Sequence, residues 1–274
     1  MLLAGLLFAC MGVLVKFGAA HFSSSELVFY RSFFGLLLVS AMLHRKRTSL
    51  ATPHWRGHMW RGLSGTVAMM LFFYCITVLP LATAITLNYT SALFLTALTL
   101  AVYKDRFHLP LTASLAMGFV GVVLLLHPTL EREQFTSGIL GLTSGFLAGI
   151  ALMNVRQLGQ LGEPATRVVF YFNVVATLFS GIWAAQSEIH SITLNDLPLL
   201  LALGASATFA QLAMTRAYRI GQTQVVSTLS YSTIAFASLL GFLLWQETLS
   251  LDGWLGIALI IVSGVLSLKL VPKH

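Results

Sequence analysis

Long apolar runs alternate with short polar gaps along the whole chain. Most runs show no strict alternation of apolar and polar residues and are too long for the strands of a membrane barrel. Because a helix satisfies its own backbone hydrogen bonds in lipid, each run predicts a transmembrane helix. The ten predicted helices of this all-α integral membrane protein cover residues 2–20, 26–43, 58–79, 81–103, 110–127, 136–156, 165–184, 197–217, 221–245 and 252–270.

The composition indicates that lipid surrounds the chain. Hydrophobic residues make up 57% of the 274 residues and charged residues only 9%, against about 25% in soluble domains. Mean hydropathy is +0.85. So few charges could not cover a soluble surface, so the lipid bilayer is the first expected partner. At about 20 residues per span, the length leaves no room for a separate soluble domain.

Basic residues fall almost entirely in one set of gaps. With the N-terminus in the cytoplasm, the inside gaps hold thirteen Lys and Arg residues and the outside gaps hold only Arg132. This asymmetry predicts that both termini are cytoplasmic. The membrane accounts for the net charge of +7, and no nucleic acid is expected as a partner. The thirteen are Arg45, Lys46, Arg47, Arg56, Arg61, Lys104, Arg106, Arg156, Arg167, Arg216, Arg219, Lys269 and Lys273.

The two halves of the chain resemble each other at a nearly constant offset. Shifted by 142 positions, Tyr89 falls on Tyr231; shifted by 141, residues 28–30 fall on residues 169–171. The repeat unit is therefore five spans, and an odd number of spans inverts the second copy. Inverted repeats are typical of secondary transporters. The two expected five-helix repeats cover residues 1–130 and 136–272.

Several segments resemble the EamA branch of the drug/metabolite transporter (DMT) superfamily. Residues 13–17, which include Lys16, and residues 27–31, which end in Arg31, look like the opening of that family. An acidic residue also follows the fourth helix of each half, as in the family. These acids are Asp105 and Glu247.

The resemblance covers essentially the whole chain and carries expectations of its own. It implies ten helices around a central cavity in the bacterial inner membrane. It also implies transport of a small metabolite, often an amino acid, by export more often than import. Two positions depart from the pattern: Asp105 stands where Glu is usual, and Phe172 stands where a second copy of Arg31 would lie.

Two basic residues lie inside predicted spans. Lys16 sits in the outer half of the first span, where a buried ammonium costs a few kcal/mol. It either docks an anionic group of the substrate or extends to the outer interface, and both interpretations stay open. Arg31 lies about one turn into the second span, and Glu26 is poorly placed to pair with it. Anchoring at the end of a neighbouring helix is favoured for Arg31 over substrate contact.

The fourth and ninth spans carry the most polar side chains at membrane depth. Such groups line a wet cavity and bind a solute, or they hold helices together. Helix contact is favoured for most Ser and Thr residues, and a cavity is favoured for the tyrosines and the asparagine. The cavity candidates are Lys16, Tyr74, Asn88, Tyr89, Gln211, Ser230 and Tyr231.

Other polar and small residues are assigned to structure. Three glycines on the sixth span, four residues apart, allow a close helix crossing. Asp105 and Glu247 lie at span ends and are expected to cap the following helices rather than to couple protons. His54 and His58 are expected to contact anionic lipid headgroups. The glycines are Gly141, Gly145 and Gly149.

Three functions compete at this point. The sequence contains no phosphate loop, nucleophile elbow or dinucleotide fingerprint, so no cofactor and no metal are expected. A membrane-embedded enzyme acting on a lipid or isoprenoid needs an acidic pair for a metal-bound phosphate, which the basic inner face does not offer. A receptor needs no repeat. A secondary transporter of a small-molecule substrate is favoured, and a homodimer is a further open expectation.

Overall fold

Helices account for nearly all of the protein in this computed structural model, which describes residues 1–79, 81–103, 108–126, 135–186, 190–246 and 250–270. Within these ranges no strand occurs, which confirms the all-α prediction. The helices are α1 (Leu2–Gly18), α2 (Ser24–Arg45), α3 (Trp55–Val78), α4 (Leu81–Tyr89), α5 (Ser91–Tyr103), α6 (Leu109–Leu126), α7 (Phe135–Gln160), α8 (Ala165–Ala184), α9 (Leu197–Ile220), α10 (Thr223–Ser230), α11 (Ser232–Trp245) and α12 (Leu251–Lys269).

The described helices group into ten spans, as the hydropathy pattern predicts. Helices α4 and α5 continue one another, and so do α10 and α11. Seven spans are long and apolar enough to cross a bilayer, and α1, α3 and α6 complete the ten. The seven are Ser25–Arg45, Ala84–Val102, Phe135–Gln160, Ala165–Ala184, Leu197–Ile220, Thr223–Leu244 and Leu251–Lys269.

Local sequence signals set several helix ends. Ser23 and Glu26 form a capping box at the start of α2, in which each side chain bonds the other residue's backbone N–H. The Ser250 hydroxyl accepts from the N–H of Gly253 at the start of α12. Between α7 and α8, Gly162 adopts φ +81°, a conformation that glycine enters without strain.

Two spans are interrupted at positions 141 residues apart. At Thr90, between α4 and α5, the backbone N–H bonds the Leu87 carbonyl, three residues back, at 3.3 Å. At Tyr231, between α10 and α11, the backbone N–H bonds the Thr228 carbonyl at 3.2 Å. A tight turn of this kind inside a helix marks a hinge or a site of strain. The side-chain pattern paired Tyr89 with Tyr231, whereas the backbone pairs Thr90 with Tyr231.

The helices pack in pairs that span the two halves of the chain. Helix α3 packs against α7 and α8, and α9 packs against α1 and α2, while α2 packs on α8 and α6 packs on α12. These six pairs are unchanged when the spans of residues 1–126 are exchanged in order for those of residues 135–270, whereas the contacts of α9 with α7 and α8 have no equivalent of similar extent. Helices α2, α3, α8 and α9 therefore surround the middle of the bundle.

Because the spans run antiparallel, their connections form two faces. The terminal face is formed by residues 46–54 and 161–164, and the opposite face by residues 19–23 and 190–196. Exposed basic side chains gather at the terminal face: Arg45, Lys46, Arg47, Arg56, Arg216 and Arg219.

Candidate functional site

Two arginines are buried between α2, α3, α8 and α9. Arg31 on α2 is 8% exposed and Arg61 on α3 is 4% exposed. The charge count placed Arg61 among the cytoplasmic gaps, and this placement is wrong: Arg61 lies six residues inside α3 and its side chain is covered by protein. Ionisable groups buried at membrane depth are expensive and are typical of functional sites.

Arg61 contacts the second half of the chain. Its Nη2 donates to Oε1 of Gln211 on α9 at 3.3 Å, and its guanidinium carbon lies 4.2 Å from the centre of the Phe172 ring on α8. Its Nε has no hydrogen-bond partner. A Cβ at Gly65 would collide with Nη1 of Arg61, so glycine at this position leaves the space in which the guanidinium lies.

Arg31 has weaker contacts. Its Nη1 lies 2.6 Å from the thioether sulfur of Met69 on α3, which is a poor acceptor, and its Nε has no partner. Glu26 bonds Ser23 and His190 instead of Arg31. The expected anchoring of Arg31 at a helix end is absent from the contacts of the described residues.

The two guanidinium groups lie close together without a counter-charge. Arg31 contacts α3 at Met69, and the Arg61 guanidinium lies at the level of Gly65, four residues or about 6 Å along the helix axis. Two like charges on neighbouring turns inside a protein repel each other. The ion pairs of the described residues include neither arginine.

Neutral polar groups border the arginines. One turn from Arg31, a Cβ on Gly35 would meet the hydroxyl of Thr208 and, at 3.1 Å, Nδ2 of Asn173. That Asn173 amide nitrogen is buried without a hydrogen-bond partner. We call Arg31, Arg61 and Gln211 the arginine site, with Asn173 and Phe172 at its edge. It combines two cations with unused hydrogen-bonding capacity in the middle of the bundle.

Two of the three predicted tyrosines, Tyr89 and Tyr231, lie at the span interruptions. The rings of Tyr89 and Tyr231 are 6.2 Å apart, and the hydroxyl of the fully buried Tyr231 has no hydrogen-bond partner. Ser230 donates to the backbone carbonyl of Ser227 at 2.6 Å, so its hydroxyl is occupied within its own helix. The interruptions therefore bring the two tyrosines together, while Gln211 belongs to the arginine site.

Helix α7 crosses the α4–α5 interruption at its glycines. A Cβ at Gly145 would lie 2.6 Å from the Leu87 carbonyl oxygen, one at Gly141 would lie 2.6 Å from the Leu87 side chain, and one at Gly149 would lie 3.0 Å from Cβ of Phe94. Asn88 donates to the Ser144 hydroxyl at 3.2 Å, and Ser144 donates to the Ala68 carbonyl at 2.8 Å. The glycines at these crossings are Gly141, Gly145 and Gly149.

Two of the remaining predicted residues, Lys16 and Tyr74, have exposed side chains. Lys16 is exposed in the last turn of α1, and Tyr74 is 44% exposed on α3. Asp105 and Glu247 lie outside the described residues.

Contacts around the buried carboxylate of Glu163 close the terminal face. Glu163 accepts hydrogen bonds from the Thr52 hydroxyl and, at 2.7 Å, from Nη1 of Arg167. His58, which is fully buried, lies 3.3 Å from Glu163 and stacks on the Tyr171 ring at 4.7 Å. The expected contact of His58 with lipid headgroups is therefore wrong, because the α7–α8 connection covers it.

Two backbone contacts complete the closure of the terminal face. Arg167 donates to the Ser49 carbonyl at 2.9 Å, and the Tyr171 hydroxyl donates to the Leu50 carbonyl at 2.9 Å. Together with the Glu163 cluster, they hold the α2–α3 connection against the start of α8. We call these contacts the terminal latch.

A smaller contact closes the opposite face. Glu26 accepts from the backbone N–H of His190 at 2.6 Å, and His190 Nδ1 lies 3.0 Å from the same carboxylate. Ser23 donates to Glu26 at 2.8 Å from both its N–H and its hydroxyl. We call these contacts the opposite latch. Each latch joins the start of one helix to a connection from the other half of the chain.

Sequence reasoning missed three groups that the fold brings together. Arg61 was assigned by its place near the end of an apolar run, and neither Asn173 nor Glu163 was singled out. An available signal was the position of Arg61 three residues inside the predicted third span. The contact of Glu163 with His58 joins residues far apart in sequence, and no local pattern carries it.

Comparison with known proteins agrees with this architecture. A model of the EamA-like transporter family matches residues 1–127 and 136–269. A solved crystal structure superposes with a TM-score of 0.86 over 98% of this chain and 96% of that chain, at 18% identity. That likeness shows the fold.

Relatives of known name are transporters. An uncharacterized transporter of Helicobacter pylori strain J99 is 30% identical over 97% of this chain and 92% of its own length. The pseudopaline exporter CntI of Pseudomonas aeruginosa is 28% identical over 89% and 86%. The S-adenosylmethionine uptake transporter of Rickettsia prowazekii is 23% identical over 86% and 79%. The names point to transport rather than to an enzyme, and the chain belongs to the EamA-like transporter family.

Proposed function

We propose that this protein is a secondary transporter that moves a small metabolite by alternating access between two inverted five-helix repeats. The observation that carries the proposal is the pair of interrupted spans, at Thr90 and Tyr231, with matching backbone hydrogen bonds 141 residues apart. Discontinuous helices at corresponding positions of two repeats lie at the substrate pathway in many secondary transporters. The six helix pairs that are unchanged on exchange of the halves support the same architecture.

The protein lies in the bacterial inner membrane with both termini in the cytoplasm in this proposal. The exposed basic side chains at the terminal face support that orientation, because cytoplasmic connections are enriched in Lys and Arg. The terminal latch then faces the cytoplasm and the opposite latch faces outward.

The substrate is a small metabolite, an amino acid or a related organic anion or zwitterion, and export is the favoured direction. Buried cations beside Gln211 support an anionic or zwitterionic solute. Tyr89, Tyr231 and Asn88 are proposed to line the pathway where the interrupted spans meet. One relative is named as an exporter and another as an uptake transporter, so direction has to be measured.

Counterflow in proteoliposomes tests the proposal. Purified protein is reconstituted, the vesicles are loaded with one unlabelled solute of a metabolite panel, and entry of the labelled solute is followed. Saturable entry that depends on the internal solute is expected for one chemical class. Flux absent for every solute of a broad panel, with folded protein in the vesicles, would contradict a transporter function.

A glycine pair provides a matched control for the interrupted span. Gly145→Ala places a methyl group against the Leu87 backbone, whereas a Cβ at Gly12 has nothing within 4 Å. We expect counterflow to fall at least fivefold in Gly145→Ala and to stay near wild type in Gly12→Ala. Equal counterflow rates for the two variants would show that the α4–α5 interruption has no role in transport.

A further inference from the structure

We propose that the arginine site is the substrate site of this transporter and that it takes a small organic anion with two negatively charged groups, such as a dicarboxylate. The inference rests on the proposed transport function and narrows its substrate class. It starts from two buried guanidinium groups that contact α3 one turn apart, at Gly65 and Met69, and that the described residues leave without a counter-charge.

An anion bound at the site would balance the charge of the two buried arginines. Burying a cation without a paired anion is costly, and two neighbouring cations repel each other. Arg31 has only a thioether against Nη1, and Arg61 has one neutral amide and one aromatic ring. These contacts replace little of the hydration that each guanidinium loses. An anion that enters between them relieves both the desolvation and the repulsion.

Two negative groups fit better than one. A guanidinium binds a carboxylate through two parallel hydrogen bonds, and each arginine has an unpaired Nε. A ligand with a single carboxylate leaves one cation unmatched. The Asn173 amide nitrogen, also unpaired, provides a donor for a neutral polar group, and the Phe172 ring provides an apolar wall.

The stability of the ligand-free protein distinguishes a structural role of the two arginines from a role in anion binding. If Arg31 and Arg61 hold helices together, replacing them lowers the stability of the ligand-free protein. If they form an unoccupied anion site, replacing either one removes a buried, unpaired charge and raises that stability while it abolishes anion binding.

The first experiment uses three probes of nearly equal shape and different charge. Glutarate, its monoamide and its diamide carry two, one and no negative charges at neutral pH. Binding is measured by thermal shift and calorimetry on the full chain in lipid nanodiscs. We expect glutarate to bind at least tenfold more tightly than the monoamide, and the diamide to show no shift. Equal binding of the three would overturn the proposal.

The second experiment uses variants of the arginines. Arg31→Gln and Arg61→Gln are each expected to weaken glutarate binding at least tenfold and to raise the melting temperature of the ligand-free protein. Arg56→Gln, five residues before Arg61 and exposed, is the matched control and should change neither. Lower stability with unchanged glutarate affinity would assign the arginines to structure. If a Gln variant does not fold, Gly65→Ala tests Arg61 by displacing its guanidinium, with the same expected loss of affinity.

Further outcomes separate this inference from the transport function. Counterflow of neutral or cationic solutes without glutarate binding leaves a transporter with a different substrate and overturns the dianion site. Glutarate binding that requires both arginines, with no counterflow of any solute, supports the site and contradicts transport. Inorganic phosphate is included as a probe, and phosphate that binds more tightly than glutarate would overturn the assignment to an organic dicarboxylate.

Discussion

The terminal and opposite faces are closed by contacts between corresponding parts of the two halves. Arg167 at the start of α8 reaches Ser49, and Glu26 at the start of α2 reaches His190. Adding 141 to Glu26 gives Arg167, and adding 141 to Ser49 gives His190. The same geometric contact is therefore made by a cation at one face and by an anion at the other.

The two latches differ in how many groups share the closure. The terminal latch combines the buried Glu163, 4% exposed, with Arg167 and Tyr171, which bond two separate backbone carbonyls. The opposite latch depends on one carboxylate, Glu26, and on His190, whose side chain is 54% exposed. Among the described contacts, the terminal face is closed redundantly and the opposite face by a single acid. Among these contacts, a change at Glu26 should therefore open its face more than a change of one group in the terminal latch.

The largest change in the ratio of open to closed faces is expected for Glu26→Gln. The change removes the charge that accepts from Ser23 and His190, and hydrogen bonds to a charged group contribute about 1.5–3 kcal/mol. A loss of about 2 kcal/mol raises the ratio of open to closed opposite faces about thirtyfold. Spin labels at Ala20 and Ser191, both exposed, report the distance across this face in a background that lacks the two native cysteines.

Ser23→Ala and Asp252→Asn serve as controls for Glu26→Gln. Ser23→Ala removes the hydroxyl of the capping box but keeps the Glu26–His190 contact, so it should open the face less. Asp252 is exposed on α12 and should have no effect. A distance distribution in Glu26→Gln that matches the wild type would show that Glu26 does not hold this face closed.

Glu163→Gln should open the terminal face by a smaller factor. The variant loses the charge-assisted bond from Arg167, but the bonds to Ser49 and Leu50 remain. About 1.4 kcal/mol, or a tenfold change in the open-to-closed ratio, is expected. Spin labels at Ala51 and Leu161, exposed on either side of the contact, measure it. An effect larger than that of Glu26→Gln would reverse the proposed ranking of the two latches.

Protonation of Glu163 at low pH should weaken the terminal latch in the same way as Glu163→Gln. Burial raises the pKa of Glu163, but hydrogen bonds from Thr52 and Arg167 and the nearby charges outweigh burial and leave the pKa below its ordinary value of 4.5. A lowered carboxyl pKa stabilises the closed latch above pH 4.5, and this contribution disappears as the pH falls through the lowered pKa. Wild type should approach Glu163→Gln only below pH 4.5, and opening between pH 7 and pH 5 would assign the titration to another group.

The sequence predicts the spans well because hydropathy and helix length are local properties. It does not predict the interruptions. Neither Thr90 nor Tyr231 is a proline or a glycine, so no helix breaker marks them. At Thr90 the close approach of Gly145 on α7 accompanies the turn, and that is a tertiary contact. Gly221, a glycine that could break a helix, follows α9 at the junction between two spans instead.

The sequence also predicts only those parts of the candidate site that a local pattern reveals. Polar residues within spans, such as Gln211 and Tyr231, stand out against an apolar background. Arg61 does not, because a basic residue near the end of an apolar run is also typical of a cytoplasmic gap. Only the packing of α3 against α8 and the hydrogen bond of Arg61 to Gln211 on α9 show that its side chain turns inward.

The smallest effect is expected for Tyr171→Phe. The variant keeps the ring that stacks on His58 and removes only the hydroxyl that donates to the Leu50 carbonyl. One such bond contributes about 1 kcal/mol, so the open-to-closed ratio of the terminal face should rise about fivefold, measured with the same terminal-face label pair as for Glu163→Gln. In the double variant with Glu163→Gln, a redundant latch predicts an opening greater than the product of the single effects, because each change removes what compensated for the other. A ratio in the double variant equal to the product of the two single effects would show that the contacts act independently. The two faces would then differ only in the number of hydrogen bonds that close them.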